Sequence, residues 1–423
     1  MKVFKFGGAS IKDANGFKNS ANIISSFSDQ KLVVIVSAMG KTTNALEKVV
    51  QAFTGGDNTT AIELFKELEH EHLVLCSSLL PSRKDAALHK MKEIFTEIEW
   101  LLHDQPVRHF DYYYDQIVCS GELLSTIILN ELLIENGCAA TWLDVRDVLR
   151  TDDQFRNAGV DWNFCNQSIP VAVDKAHQNH QVLITQGFIG STYENESTTL
   201  GREGSDYTAA IFANVMNAES VTIWKDVDAV MNADPKLFSD AVNIPVLSFL
   251  EVIEMAYYGA QVIHPKTIKP LQNKGIPLLV KSFLDPLKPG TRIDQTPVKE
   301  LPPIVVKKQA QVLVKFTSKD FSFLEDQVID WLQEKFSSNK LNPNVSQKTA
   351  ISLLCCFDDK PEKLEALSLG AAEVFDVEME KDLILLTVRH YQPAMMEQLI
   401  EGNTILLEQK TPDTIQVLMR KRS

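Results

Sequence analysis

Short apolar, β-branched runs alternate with longer stretches of helical spacing through the first two-thirds of the chain. Lys2–Phe6 reads as a strand that stops at Gly7 and Gly8, and Leu32–Val36 reads as a buried strand. Apolar residues recur at helical spacing over Thr59–Leu80 and Asp85–Leu102. A third long helix is expected over Ile117–Asn136, stopped by Gly137. Val182–Thr185, Val221–Trp224 and Pro277–Lys281 supply further strands. This alternation predicts an α/β fold with a mostly parallel central sheet and helices on both faces.

Prolines and glycine crowd together between residues 285 and 303, as at a linker. Beyond it the rhythm changes. Strands are expected at Ile304–Lys307, Gln309–Phe316, Thr349–Phe357, Asp382–Val388, Thr404–Leu407 and Thr414–Met419. Helices are expected at Leu324–Phe336, Lys360–Leu369 and Pro393–Ile400. That order suits two small α+β units of β-α-β-β type, packed together without obvious sequence identity. The expected domains are therefore 1–295 and 296–423.

Composition and charge narrow the function classes. With 423 residues, 44% hydrophobic and 23% charged, the chain is an ordinary globular one of two to four domains. Its net charge of −14 argues against nucleic acid, whose binding needs phosphate neutralisation, and against an anionic membrane surface. No uncharged apolar run reaches the roughly 18 residues of a membrane span. The chain opens directly on MKVFKFGG, without a signal-peptide pattern. Cys76, Cys119, Cys138, Cys165, Cys355 and Cys356 lack metal-ligand spacing. A reduced, cytoplasmic setting is expected.

Candidate chemistry sits in loops that follow strands. Ser37-Ala38-Met39-Gly40-Lys41-Thr42 imitates a phosphate-binding P-loop, but Ile35 stands where that loop needs its first glycine. In Lys5-Phe6-Gly7-Gly8-Ala9-Ser10, a lysine ends a strand and two glycines permit close approach of backbone to an anion. A plain tight turn is an equal reading of that pair. Thr198–Ala210 is a glycine-punctuated loop feeding a helix, with Ser205 or Asp206 placed to cap it. Arg202, between Gly201 and Gly204, offers a fork-like cation to a carboxylate or phosphate, whereas a simple capping loop would leave it solvated. Glu122 falls on a helix face of small and apolar residues and needs a cation: an internal Arg or Lys, which the residues alone favour, or a ligand ammonium. His72 shares an apolar face with Phe65 and Leu68 and reads as a core histidine. No Ser-His-Asp arrangement and no carboxylate pair is recognisable in residues 1–295.

Taken in chain order, the motifs resemble those of the aspartate kinases. They are Lys5–Ser10, Val36–Met39 with Thr43-Asn44, Ser120-Gly121-Glu122, Gln186–Gly190, Leu200–Asp206, Trp224–Asp228 and Gly259–Pro265. Each is weak alone; the ordered series is specific and covers nearly all of residues 1–295. The tail resembles the paired ACT domains that regulate such enzymes, and a monofunctional enzyme without a dehydrogenase segment is expected. The resemblance implies a three-layer α/β/α sandwich, the amino-acid kinase fold, and transfer of the ATP γ-phosphate to the side-chain carboxylate of L-aspartate, with Mg²⁺. The product would be 4-phospho-L-aspartate, on the way to lysine, threonine and methionine. It further implies that Lys5 and Asp206 organise phosphoryl transfer and that Thr43, Glu122, Arg202 and Ser205 hold aspartate. Gly7, Gly8, Lys225, Asp226, Met231, Lys236 and Gln261 would be nucleotide-side positions, and the tail would form a homodimer.

The residue types agree with that chemistry. An aspartate side chain, pKa about 3.9, is already ionised at neutral pH and needs no general base. Departures from the family pattern are Ala9 for a Thr, Glu203 for a Gly or Asn, Ala229 for a Gly, Met231 for a Tyr and Gln261 for a Lys. Rival readings are another kinase of this fold, such as a glutamate 5-kinase, and a catalytically weak amino-acid sensor.

Overall fold

The computed structural model describes residues 1–260 and 262–422. The chain divides into two compact units. One holds residues 1–230, 245–253 and 262–298; the other holds 231–244, 254–261 and 299–423. The expected linker is partly structured: Thr291–Asp294 forms a strand of the first unit's sheet, and Thr291 Oγ1 accepts from Val230 N–H at 2.8 Å.

The strands of the first unit are β1 (Lys2–Phe6), β2 (Leu32–Val36), β3 (Ala140–Trp142), β4 (Val182–Gln186), β5 (Ile189–Ser191), β6 (Ser197–Thr199), β7 (Ser220–Lys225), β8 (Val246–Ser248), β9 (Leu278–Ser282) and β10 (Thr291–Asp294). Eight form one sheet in the order β3-β4-β2-β1-β7-β9-β10-β8, and β5 pairs with β6 as a separate ribbon. Every neighbour in the large sheet is parallel except β9 and β10. Strand β2, LVVIV, is buried at all five positions, as a parallel strand covered on both faces must be. The helices are α1 (Ala14–Ser25), α2 (Thr42–Thr54), α3 (Asn58–Leu79), α4 (Lys84–His103), α5 (Phe110–Val118), α6 (Ser120–Glu135), α7 (Trp162–Ala176), α8 (Gly204–Val215), α9 (Phe249–Tyr258) and α10 (Pro265–Lys274).

Where one helix is expected over 117–136, the chain forms two, α5 and α6, meeting at Cys119. Helix α6 is buried from Ser120 to Leu133, so its apolar character extends all round. Phe110–Glu135 is long and apolar enough to cross a membrane, yet 94% of its most apolar window is buried inside the protein, as in a central core helix. His72 is fully buried, with Nδ1 2.8 Å from Leu68 O, and burial lowers its pKa.

The second unit contains β11 (Ile304–Ser318), α11 (Asp326–Ser338), β12 (Val345–Lys348), β13 (Ser352–Asp358), α12 (Pro361–Ala371), β14 (Phe375–Arg389), α13 (Pro393–Ile400), β15 (Asn403–Lys410) and β16 (Thr414–Lys421). The two β-α-β-β patterns share a single antiparallel sheet, β12-β13-β11-β14-β16-β15. The two strands expected across 304–316 are one, bulged where Ala310 adopts φ 50°. Its partner β14 runs the same length and begins at Phe375, earlier than the expected Asp382. Phe336, Phe357 and Phe375 pack with α11 and α12 on one face.

Candidate active site

Lys5 is the fourth of five residues in β1, so its side chain leaves the sheet near the carboxyl end of a central strand. That edge is where open α/β sheets carry ligands. Lys5 Nζ lies 2.7 Å from Asp206 Oδ1, and both side chains are largely buried. After β1 the backbone enters the Gly7-Gly8 turn. A Cβ at Gly8 would sit 2.8 Å from both Ala38 O and Gly40 O, so only glycine lets this turn press against the loop after β2. Gly40 N–H donates to Gly8 O at 3.1 Å across that contact.

Asp206 lies in the first turn of α8, which starts at Gly204 after Glu203 in the left-handed region, φ 55°. Ser205 and Asp206 are therefore the second and third helical residues, and neither caps the helix as the sequence suggested. Ser205 Oγ lies 2.9 Å from Ser37 Oγ instead, and the acidic Asp206 sits favourably at the positive end of the helix dipole. A Cβ at Gly187 would come within 2.5 Å of Ser205 Cβ, which is why β4 exits through a glycine there. Glu203 is also accounted for: its Oε2 accepts from His264 N–H at 2.8 Å.

Glu122 is 3% exposed in the first turn of α6. Its Oε1 accepts from Ala38 N–H at 3.2 Å, while Oε2 is buried without a hydrogen-bond partner. The residue-level expectation of an internal Arg or Lys is not met: among the described residues no cation forms an ion pair with it. Burial pushes its carboxyl up to about 8. A carboxylate held this way is poised for a cation that arrives with a ligand.

These groups line one cleft of about 530 Å³, all of it within the first unit. Lys5, Gly8, Thr43, Glu122, Arg202, Ser205, Asp206 and Lys225 all reach it. Arg202 forms no ion pair among the described residues, leaving its guanidinium available to an anion. Lys225 ends β7 and donates to Val262 O at 2.7 Å. Gly7 and Asp226 stand outside the lining. Met231 and Lys236 fall in the second unit, where Met231 bridges to Asn243 and Lys236 N–H donates to Asp234 Oδ1 at 2.9 Å. Gln261 lies outside the described residues.

Sequence reasoning missed Tyr114 and Arg156, which also line the cleft, and it met Thr199 only as part of the Thr198–Ala210 loop, without a role. Tyr114 and Arg156 carry no local signature; the fold alone assembles them. Three cleft residues other than glycine, Arg156, Phe188 and Glu203, hold positive φ. Such conformations concentrate where a site is preorganised. Among the described residues no group of three or more His, Cys, Asp or Glu could cage a metal ion.

The sequence profile of the amino acid kinase family matches residues 1–282. The chain is similar to the lysine-sensitive aspartokinase 3 of Escherichia coli K12, 34% identical over 291 residues, covering 69% of this chain and 63% of that protein. It is also similar to the chloroplastic aspartokinase 1 of Arabidopsis thaliana, 33% identical over 350 residues, covering 77% of this chain and 59% of that protein. The chain thus spans less than two-thirds of the length of these relatives. A solved structure of E. coli aspartokinase III in complex with aspartate and ADP, in its R-state, superimposes with a TM-score of 0.82 at 26% identity, covering 99% of this chain and 96% of that one.

Proposed function

Because the chain belongs to the amino acid kinase family, we propose that it transfers the γ-phosphoryl group of ATP to the side-chain carboxylate of L-aspartate, giving 4-phospho-L-aspartate. One observation carries this reading: a single cleft holds the buried carboxyl of Glu122, whose Oε2 has no hydrogen-bond partner, the guanidinium of Arg202, which forms no ion pair among the described residues, and the Lys5–Asp206 pair. The first two are the complements of an ammonium and an α-carboxylate, and the third suits a transferring phosphoryl group. The likeness to a structure holding aspartate and ADP supports it.

The acceptor carboxylate is already a nucleophile, so the barrier is electrostatic: one anion must approach a polyanion. Glu122 takes the substrate ammonium and Arg202 its α-carboxylate, aided by the Thr43 and Ser205 hydroxyls. With both ends fixed, the side-chain carboxylate is left to point at the phosphates. Lys5 meets the charge that builds on the transferring group, the Gly8 turn keeps backbone close, and Lys225 adds a second cation. Asp206 holds Lys5 in register. Asp206, a carboxylate in the cleft, would be the residue to help hold a Mg²⁺ brought with the nucleotide, which would supply screening of phosphate charge.

The second unit would serve regulation and self-association. Its outer strands, β12 and β15, offer sheet edges that a second copy could cover, giving a homodimer through residues 304–423. Production of ADP that depends on both ATP and L-aspartate tests the activity. ATP turnover indifferent to aspartate would reject it.

A further inference from the structure

Asp115 is a buried acid for which the phosphoryl-transfer chemistry has no direct use. It sits in α5 with no measurable exposure, and among the described residues no Lys or Arg side chain pairs with it. Its oxygens are nevertheless fully engaged. Oδ2 accepts from Arg156 N–H at 3.0 Å and from Thr199 N–H at 2.8 Å, and Oδ1 accepts from the Thr199 hydroxyl at 2.8 Å. One carboxylate thus joins three parts of the chain: α5, the turn at 154–158 and the end of β6.

Both tethered residues line the cleft. Arg156 keeps φ 67°, a conformation a non-glycine residue holds only where its surroundings impose it. Ala158 N–H donates to Thr199 O at 2.9 Å, closing the turn onto the strand. A Cβ at Gly201 would lie 3.0 Å from Asn157 Oδ1 and 3.1 Å from Arg156 O, so the turn also packs directly on Gly201. The next residue is Arg202. Outside the turn, the Arg156 guanidinium lies 4.5 Å from the Tyr114 ring centroid and 3.0 Å from Asp111 Oδ1.

We propose that Asp115 is a positioning residue for the acceptor half of the cleft, its carboxylate pinning the Arg156 turn to the Thr199 strand and so fixing where Arg202 meets the substrate's carboxylate. The inference rests on the proposed acceptor role of Arg202. It predicts an effect on acceptor binding, because the tethered wall carries Arg202, while Lys5 and Lys225 stand on β1 and β7, which Asp115 does not touch.

The chemistry of the tether supplies a discriminating pair of variants. In Asp115→Asn the amide oxygen still accepts both backbone N–H groups and the amide nitrogen donates to the Thr199 hydroxyl, which accepts as readily as it donates. In Asp115→Ala all three groups lose their partner. The expected result is an acceptor KM raised about tenfold or more in Asp115→Ala with the ATP KM within about twofold, and near-normal constants in Asp115→Asn. Thr199→Val, which removes one of three bonds, should raise the acceptor KM by a few-fold and stands in if the alanine variant does not fold. Hydrogen exchange read on the same proteins without ligand should quicken over residues 154–158 and 199–204 in Asp115→Ala or Thr199→Val and stay unchanged in Asp115→Asn. Unchanged exchange there, an ATP KM that rises as much as the acceptor KM, or an Asn variant as impaired as the alanine one overturns the inference. The exchange arm decides it even if the wild type fails to phosphorylate aspartate, an outcome that would refute the substrate reading instead.

Discussion

Lys5 Nζ and Asp206 Oδ1 lie 2.7 Å apart in the wall of the cleft, brought together by the end of β1 and the first turn of α8. The side chains are 13% and 4% exposed, so each is the other's near-buried counter-ion. If the pair faces the transferring phosphoryl group, Lys5→Ala should lower kcat by about 10²-fold or more while leaving a folded protein. Asp206→Asn keeps the shape and removes the charge, and should lower kcat comparably. Steady-state rates beside thermal unfolding curves check this; a folded variant with near-normal kcat removes its residue from the mechanism.

Glu122 gives the account a pH signature. Burial pushes its carboxyl from an ordinary 4.5 up to about 8, so at neutral pH the empty site holds a proton that an incoming ammonium must displace. Aspartate kcat/KM should therefore rise with pH, by up to tenfold per unit, and level off above about 8. Glu122→Gln should abolish that dependence together with most acceptor binding. The same shift has a stability consequence. Between about 4.5 and 8 the unfolded chain has released the proton that the folded chain keeps, so rising pH destabilises the unliganded wild type. Relative to it, Glu122→Gln should gain stability across that window and gain nothing further above it. Denaturant unfolding at pH 5, 7 and 9 reads the trend, and a flat difference would show that Glu122 ionises normally.

Lys225 tests whether the nucleotide-side cation has changed place. Its ammonium reaches the cleft while tethered to Val262 O, and Gln261 precedes Val262 in the chain. Lys225→Ala should cut kcat severely, and adding Gln261→Lys should restore part of it. Failure of any rescue in a folded double variant would count against the exchange.

The tail bears on regulation. Asp326 opens α11 with its carboxylate almost wholly exposed, 3.8 Å from Lys348 Nζ, and Asn342 is exposed in the loop after that helix. By the resemblance to aspartate kinases, Asp326 would fall where many effector-sensitive members carry a glycine and Asn342 where lysine-binding members carry an aspartate, so this chain would offer an extra anion and a neutral amide. A charged hydrogen bond is worth about 1.5–3 kcal/mol, roughly ten- to a hundredfold in affinity. Inhibition by lysine or threonine should be weak or absent at physiological concentrations. Titration of each against activity decides it, and submillimolar inhibition by either would show that other groups supply the missing charge.

How far the sequence went depended on whether a feature was local. Strand β2 was legible as the unbroken apolar run of a parallel strand buried on both faces, and β1, β4, β7 and β9 as short runs rich in apolar and β-branched residues. Strand β14 was half-legible: Asp382–Val388 is apolar, but its first half, FDVEMEK, mixes carboxylates into a strand and carries little β signal. Helix α5 was missed although Phe110, Tyr113, Tyr114, Ile117 and Val118 recur at helical spacing, because the expected helix was started only at Ile117, and with it went Asp115 and Tyr114. Lys5, Glu122, Arg202 and Asp206 could be picked out because glycines or a buried helix face flagged them. Arg156 and Thr199 could not, since their place in the cleft is created by hydrogen bonds to a residue 41 and 84 positions away. The cap assigned to Ser205 or Asp206 failed for a related reason: Glu203 turns left-handed and takes the cap position, so the helix begins two or three residues earlier than the capping pattern implies.

The most direct test of the central claim is to trap the acyl phosphate. The protein, with MgATP and hydroxylamine, is offered L-aspartate, L-glutamate and N-acetyl-L-glutamate in parallel, and the hydroxamate formed is measured. A cleft with Glu122 for the ammonium, Arg202 for the α-carboxylate and Lys5 at the phosphoryl group should yield aspartyl hydroxamate in ATP-dependent amounts and little from the other two. Equal or greater product from either longer acceptor, or none from aspartate with the protein folded and ATP saturating, would contradict the account.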